Sequence, residues 1–169
     1  MWPNGVISMT NNGIQIRSAE SKDADAVTAM WKEMAVQHSA YDNVRWGCAK
    51  EAEVAFRKHF LATLGKEQAV MLVAVDGSDS VVGYLTGSIA QTNPCMSARC
   101  KGDINDMFVT SNCRGHGVGK ALFEAAADLM KQQGAVYVTL LVAAANANAI
   151  GFYERLGLSP IGHQMCMRL

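Results

Sequence analysis

Apolar side chains recur along the chain with two different periods, and the change of period marks the predicted elements. Apolar and polar residues alternate over 14–17, which is typical of a half-buried strand. Helical spacing follows over 27–34, and steps of four residues run from 52 to 64. The sequence therefore predicts a strand, a helix over about 22–38, and a second helix over 52–64 that Gly65 ends.

The central part of the chain alternates between strand-like runs and turns. The runs 69–75 and 81–90 flank the turn-like segment 76–79, which predicts an antiparallel pair, and a further strand is expected at 102–109. A glycine-rich turn then leads into a helix over about 117–133. The nearly continuous apolar run 137–142 predicts a strand that is covered on both faces and lies parallel to the preceding strand.

The order of these elements predicts an α/β fold of the α+β type in a single domain over 14–169. We expect a mixed, mostly antiparallel central sheet of six to seven strands with about four helices on both faces. A last helix over 146–156 and a tail with one or two closing strands complete it. Residues 1–13 are rich in Asn and Gly without a period, and are predicted to be a flexible N-terminal arm.

Charge and composition exclude several classes of partner. Fifteen basic and fifteen acidic residues cancel, so no nucleic-acid partner is indicated. The longest apolar runs are about half of what a membrane-spanning helix needs, and no leader suggests export, so a cytoplasmic protein without a membrane partner is expected. Five scattered cysteines without metal-ligand spacing predict free thiols and no metal site.

The glycine-rich turn between a strand and a helix is a candidate phosphate site. Helix N-termini present unpaired N–H groups and a partial positive charge, which favour anions. A P-loop requires glycine where Arg114 stands and a hydroxyl where Ala121 stands. The dinucleotide fingerprint, begun at Gly115, fails because its third glycine is replaced by Lys120.

A third pattern, Arg/Gln-x-x-Gly-x-Gly/Ala, is met in full by Arg114, Gly117 and Gly119. Together with the preceding strand, this stretch resembles the acetyl-CoA loop of the GNAT family of N-acetyltransferases. A second block over 146–158, Asn-x-x-Ala followed by Phe-Tyr-Glu-Arg-Leu-Gly-Leu, resembles the Asn-x-x-Ala and Tyr-Glu-Lys-x-Gly-Phe segment of that family. Leu158 replaces the usual Phe. The resemblance implies the GNAT fold and acetyl-CoA as cosubstrate.

The resemblance also implies which positions contact coenzyme A. In the family, main-chain amides of the loop hold the diphosphate, the preceding strand pairs with the pantetheine arm, and an asparagine bonds that arm from the other side. The matching residues in this chain are Met107, Phe108, Val109, Arg114, Gly115, His116, Gly117, Val118, Gly119, Lys120 and Asn146. Asn146 is also a good helix N-cap, and His116 is expected to point to solvent or to the phosphates.

Two catalytic roles follow from the resemblance. Tyr153 occupies the position of the family's tyrosine, the acid that protonates the departing thiolate. Asp103 stands where many relatives carry a glutamate base, and it acts directly, through water, or only by orienting the substrate. Strand alternation predicts Asp103 on the same face as Met107 and Asp106 on the opposite face, so Asp106 is the second choice for the base.

The acceptor is the least determined part of the prediction. The family takes acceptor specificity from the first two helices, the loop between them, and the hairpin before the glycine loop. The candidate residues there are Tyr41, Asp42, Trp46 and Arg99, with Arg45 beside them. We expect direct acetyl transfer to the primary amine of a small molecule or peptide. A homodimer is one assembly that the sequence leaves open. A CoA-binding module without turnover and a nucleotide-binding regulator are the alternatives.

Overall fold

The computed structural model describes residues 6–9 and 13–167, and these form one sheet with helices on both sides. The strands are β1 (Val6–Met9), β2 (Gln15–Ser18), β3 (Ala69–Val75), β4 (Val81–Gln91), β5 (Cys100–Val109) and β6 (Val138–Leu140). The helices are α1 (Ala24–Ser39), α2 (Asn43–Trp46), α3 (Ala52–Thr63), α4 (Val118–Gln132) and α5 (Ala147–Arg155). Short 3-10 turns at Ser21–Asp23 and Ser111–Cys113 precede α1 and α4.

The strands lie side by side in chain order, from β1 to β6. Every neighbouring pair is antiparallel except β5 and β6, which are parallel and connected through α4. Parallel neighbours require such a crossover, whereas antiparallel neighbours need only a turn. The predicted fold class, a mixed and mostly antiparallel sheet with helices on both faces, is confirmed.

The core consists of two apolar layers, one on each face of the sheet. β3 is buried along its whole length and sends alternate side chains to the two layers. Val70 and Leu72 pack in the layer that α4 covers, and Val73 packs in the layer that α1 and α3 cover. The helical face predicted around Val27 lies in the second of these layers.

Glycines in β4 and β5 allow α4 to lie close to the sheet. A Cβ on Gly87 would lie 2.7 Å from the carbonyl oxygen of Asp103 and 2.7 Å from Cε of Met130. A Cβ on Gly102 would lie 2.3 Å from Sδ of Met130. Normal contacts are 3.4 Å or longer. Because α4 lies so close, each position has room for the hydrogen of glycine but not for a Cβ atom. These glycines fix the height of α4, and hence of its N-terminus, above the sheet.

A buried ion pair joins β2 to the start of α1. Arg17 donates two hydrogen bonds to the carboxylate of Asp23, at 2.8 and 2.9 Å. The same carboxylate accepts a bond from the backbone N–H of Glu20 at 2.8 Å, which forms a capping box. Glu20 and Asp23 therefore cap the 3-10 turn Ser21–Asp23 that leads into α1, although Ser21 is the cap that the sequence pattern favours.

Three parts of the chain differ from the sequence prediction. Val6–Met9, inside the predicted flexible arm 1–13, is strand β1 and pairs with β2, whereas 1–5 and 10–12 lie outside the described residues. The predicted closing strands do not appear within 156–167. The apolar run 137–142 yields only β6, whose three residues are half-buried, because β5 is its only strand neighbour within the described residues.

Gly87→Ala should destabilise the fold, since the added methyl group meets backbone oxygen that cannot move away. We expect the free energy of unfolding to fall by about 1–3 kcal/mol, the usual cost of overpacking. Urea denaturation measures the change. The matched control is Gly77→Ala, in a turn where an added Cβ meets nothing within 4 Å. Equal stability of the two variants would contradict the close packing of α4.

Candidate active site

The glycine-rich loop before α4 exposes main-chain N–H groups. Gly115 and Gly117 have φ angles of +79° and +80°, and an added Cβ would meet nothing within 4 Å at either position. The first hydrogen bond of α4 runs from Ala121 N to Gly117 O, at 2.9 Å. The amides of 118–120 precede that bond and have no helical carbonyl as partner. This arrangement is a concave set of donors at the positive end of a helix dipole.

The loop is attached to β5 by the side chain of Arg114. Its Nε donates to the carbonyl oxygen of Val109 at 2.8 Å, and its guanidinium lies 5.1 Å from the ring centre of Phe108. The side chains of His116 and Lys120 are exposed, and Lys120 lies 3.7 Å from Glu124 in a solvent-exposed ion pair. The loop therefore offers backbone rather than side-chain donors at its centre.

Gly119 also lies against α5. A Cβ on Gly119 would lie 3.3 Å from Cζ of Phe152 in α5. The hydrogen at this position therefore serves the contact between α4 and α5. The open positions of the loop are Gly115 and Gly117.

β5 loses one of its two neighbours halfway along its length. β6 pairs with β5 only from Gly102 to Ile104. Thr110 N donates to Val82 O at 3.0 Å, and hydrogen-bonded pairs alternate along an antiparallel ladder. The main-chain groups of Met107 and Val109 are therefore turned away from β4, toward the side that β6 has left. They form a strand edge without a neighbouring strand beside the glycine loop.

A β-bulge in β5 changes the face on which the acidic residues lie. Asp106 pairs with Thr86 and Ile104 pairs with Gly87, so Asn105 is an extra residue without a partner in β4. Simple alternation placed Asp103 and Asp106 on opposite faces, and this prediction is wrong. The bulge reverses the alternation, and both aspartates line one cavity of about 550 Å³.

Asp106 is a partly buried carboxylate. Thr86 Oγ1 donates to its Oδ2 at 3.1 Å. Burial raises the pKa of Asp106, although this hydrogen bond and the neighbouring His38 and His59 act in the opposite direction. Burial lowers the pKa of His38. A carboxylate with a raised pKa is a stronger proton acceptor than an exposed one.

Asp103 is engaged by polar neighbours. Lys101 Nζ lies 2.8 Å from its Oδ1 in an ion pair, and Thr139 Oγ1 of β6 donates to the same oxygen. The ion pair offsets the negative charge of Asp103, whereas Asp106 has no cationic partner at salt-bridge distance in the described part of the chain. The two carboxylates of the cavity are therefore electrostatically unequal.

Helix α5 places Tyr153 and Asn146 on the face of the sheet that α4 covers. Tyr153 packs against Phe123 and Phe152, with ring centres 6.2 and 5.1 Å apart. Burial raises the pKa of Tyr153 to about 12, and the charge of Asp106 adds to the effect. Asn146 Oδ1 accepts from Ala149 N at 3.1 Å, so the predicted N-cap is present, and the cap leaves the NH₂ group of Asn146 as a donor.

The structure brings together only part of the predicted acceptor set. Trp46 lines the cavity, together with Arg45. Asp42 instead caps α2, accepting from Val44 N at 2.8 Å. Tyr41 lies against His38, with ring centres 6.1 Å apart.

Arg99 belongs to the turn between β4 and β5, where its carbonyl oxygen accepts from Thr92 N at 3.0 Å. It is not among the residues that line the cavity. Sequence reasoning missed other cavity residues. These are His38, Ser88, Thr139 and Gln164.

A sequence signal for the bulge did exist. The apolar residues Ile104 and Met107 face the same layer but are three positions apart, whereas regular strand alternation requires two or four. Two consecutive polar residues separate them. This spacing predicts one extra residue in the strand, and with it a common face for Asp103 and Asp106.

Two further properties concern the residues that the structure describes. None of the helices there has the length and apolar character needed to cross a membrane. In the same residues, no group of three or more His, Cys, Asp or Glu side chains is arranged to hold a metal ion.

Known proteins share both the sequence pattern and the fold. The model of the acetyltransferase (GNAT) family matches residues 31–158. A mycothiol acetyltransferase of Propionibacterium freudenreichii is 30% identical over 128 residues, which are 76% of this chain and 39% of that protein. A streptothricin acetyltransferase of Streptomyces lavendulae is 32% identical over 90 residues, 53% of this chain and 44% of that protein. The chain thus spans less than half the length of these curated relatives.

Among solved structures, a mutant of the BH1408 protein from Bacillus halodurans superimposes with a TM-score of 0.82. It is 26% identical, and the match covers 91% of this chain and 98% of that one. The family match spans well over half of the sequence and includes the loop, the open edge of β5 and α5. The chain belongs to the GNAT family of acetyltransferases.

Proposed function

We propose that the protein transfers the acetyl group of acetyl-CoA directly to a primary amine of a small molecule or peptide. The observation that carries the proposal is the position of the bare loop amides next to the unpaired edge of β5, with Arg114 joining the two. The loop amides can bind a diphosphate, and the adjacent edge of β5 can pair with a peptide-like arm attached to it.

The loop fits the diphosphate of coenzyme A. The amides of 118–120 are donors without a helical partner, and the hydrogens of Gly115 and Gly117 leave open space where a Cβ would stand. The edge offers the N–H and C=O of Met107 and the N–H of Val109, whose carbonyl oxygen already accepts from Arg114, to the amide groups of the pantetheine arm. Asn146 adds the NH₂ group that its capping role leaves available.

Acetyl-CoA supplies an acyl group that is already activated as a thioester. The backbone N–H of Val109 is placed to donate to the thioester carbonyl oxygen, where negative charge develops during attack. One preorganised donor of this kind contributes about 3 kcal/mol to stabilisation of the transition state. The loop and strand therefore both bind the donor and polarise it.

Asp106 is the better candidate for the base that accepts the amine proton. It lies three residues before Val109, roughly 10 Å along the strand, whereas Asp103 lies six residues before it, roughly 20 Å. Asp103, the first choice from the sequence, is held by Lys101 and Thr139. We assign Asp103 the role of shaping the cavity and Asp106 the role of base.

Tyr153 is assigned the role of acid. With a pKa raised to about 12, its hydroxyl is protonated at neutral pH and can give its proton to the thiolate that departs as the C–S bond breaks. Removal of one proton from the amine by Asp106 and donation of one by Tyr153 balance the reaction. The named relatives are acetyltransferases for mycothiol and streptothricin, which supports a small-molecule acceptor.

Gly115→Asp should abolish most of the affinity for coenzyme A. Aspartate tolerates a positive φ angle better than most residues, and its charge would repel the diphosphate. We expect the Kd for CoA, measured by calorimetry, to rise at least about tenfold, equivalent to 1.4 kcal/mol.

The matched control for that variant is Gly65→Asp, after α3, where φ is +72° and an added Cβ also meets nothing within 4 Å. The control should retain the affinity of the original protein. Equal affinities of the two aspartate variants for CoA would overturn the loop assignment.

A thermal-shift comparison tests the alternative function. A nucleotide-binding regulator would be stabilised by ATP more than by CoA.

Tyr153→Phe should lower kcat by about 100-fold and leave the Kd for CoA unchanged, because only the hydroxyl is lost. The ring contacts with Phe123 and Phe152 remain. Release of free thiol from acetyl-CoA in the presence of an amine panel measures the rate. Tyr137→Phe, at an exposed tyrosine before β6, is the control. A rate unchanged by the loss of the Tyr153 hydroxyl would remove its assigned role.

Asp106→Asn should lower activity and raise stability. The pKa of Asp106 is higher in the folded protein than in the unfolded chain. The free energy of unfolding therefore falls as the pH rises through the folded-state pKa and the buried carboxyl group becomes charged. Asparagine stays neutral and avoids this loss of stability. We expect a higher Tm than that of the original protein at pH 8, a difference that vanishes below roughly pH 4, and a kcat lower by about 100-fold.

Asp128→Asn, at an exposed position of α4, is the control for both measurements and should change neither. A lower Tm of Asp106→Asn at pH 8 would contradict the burial of an uncompensated carboxylate. An unchanged kcat would show that Asp106 is not the base and would leave Asp103 as the candidate.

A further inference from the structure

The cavity that contains the two aspartates is also lined by a cation. Arg45 of α2 and Trp46 beside it line the same cavity as Asp103 and Asp106 of β5. The guanidinium carbon of Arg45 lies 5.6 Å from the ring centre of Trp46. Acidic and basic groups thus belong to different elements, β5 and α2, that meet at this cavity.

The position of Arg45 is fixed by the short helix that carries it. Asp42 Oδ1 accepts from the backbone N–H of Arg45 at 3.1 Å, and the ring of Trp46 lies 6.0 Å from that of His38 in α1. These contacts attach α2 to the end of α1. The arginine is therefore held at the cavity wall by its own helix and not by a partner for its side chain.

Neither carboxylate of the cavity forms an ion pair with Arg45. Lys101 offsets Asp103 at 2.8 Å, and Asp106 is reserved for the amine proton in the reaction described above. Among the described residues, no carboxylate lies at salt-bridge distance from the guanidinium of Arg45. The guanidinium of Arg45 is thus available to an anionic group of a ligand in this cavity.

We propose that the acceptor carries a carboxylate in addition to its amine, and that Arg45 binds this carboxylate. This inference rests on the proposed acetyl transfer. The planar guanidinium presents two parallel N–H donors that match the two oxygens of a carboxylate, and stacking on an aromatic ring leaves those donors available. Asp106 receives the amine at one end of the cavity, Trp46 covers the carbon chain, and Arg45 holds the anionic end.

The test compares amino acids with their carboxamides, which keep the amine but lose the negative charge. The probes are glycine, β-alanine, 4-aminobutyrate and L-phenylalanine, each beside its amide. Thiol release gives kcat/KM for the original protein, for Arg45→Gln, and for the control Arg57→Gln. Arg57 is an exposed arginine of α3 that pairs with Asp25 at 2.7 Å.

We expect at least one acid to exceed its amide tenfold or more in kcat/KM. Arg45→Gln should lower kcat/KM for that acid at least tenfold and leave the rate with the amide unchanged, and Arg57→Gln should change neither. The effect of Arg45→Gln is measured against the original protein on the same compound, so differences in amine basicity between acid and amide do not enter that comparison. Equal rates for all acids and amides, or an equal loss for both with Arg45→Gln, would overturn the inference.

Calorimetric binding of the same probes to the protein saturated with CoA separates the two proposals. Acids that bind in an Arg45-dependent manner without thiol release would contradict acetyl transfer and uphold the carboxylate site. Thiol release with amides but not with acids would uphold the transfer and contradict the carboxylate site. If no acid of the series binds or reacts, the carboxylate site is wrong.

Discussion

The separation of β6 from β5 after Ile104 is the constraint on which the rest of the site depends. A strand inside a sheet has no backbone groups to offer a ligand, because both of its edges are bonded. Here β5 is paired with β4 over its whole length apart from Asn105, but with β6 over only three residues. The main chain of Met107 and Val109 thus has no strand neighbour on that side, next to the helix terminus that follows.

The packing of α4 on the sheet positions the glycine loop, the second part of the site. Because Gly87 and Gly102 have no side chains, α4 can lie directly on β4 and β5. Arg114 joins the loop before α4 to the carbonyl oxygen of Val109. The bulge in β5 turns Asp106 toward the face of the sheet on which Tyr84 is buried. Burial of that carboxylate lowers stability at neutral pH, and the proposed chemistry uses the higher proton affinity that results.

Much of the fold follows from local pattern in the sequence. The bounds of β3 and the end of α3 at Gly65 come directly from apolar periodicity and glycine placement. The family motifs identified the loop and α5. The faces on which the site residues lie could not be predicted from simple strand alternation. One extra residue at Asn105 reverses the direction of every later side chain of the strand. Arg45 and Thr139 reach the cavity only through tertiary packing, which no local pattern encodes.

The most direct test of the account is a titration of the ¹⁵N-labelled protein with coenzyme A, followed by backbone amide chemical shifts. The account predicts the largest shifts at Met107 and Val109 in β5 and at 118–120 in the first turn of α4. Amides that are bonded within β3 should remain nearly unchanged. Saturation with CoA that leaves the amides of Val109 and of the loop unshifted, or shifts confined to another surface, would contradict the claim that exposed main chain binds the donor.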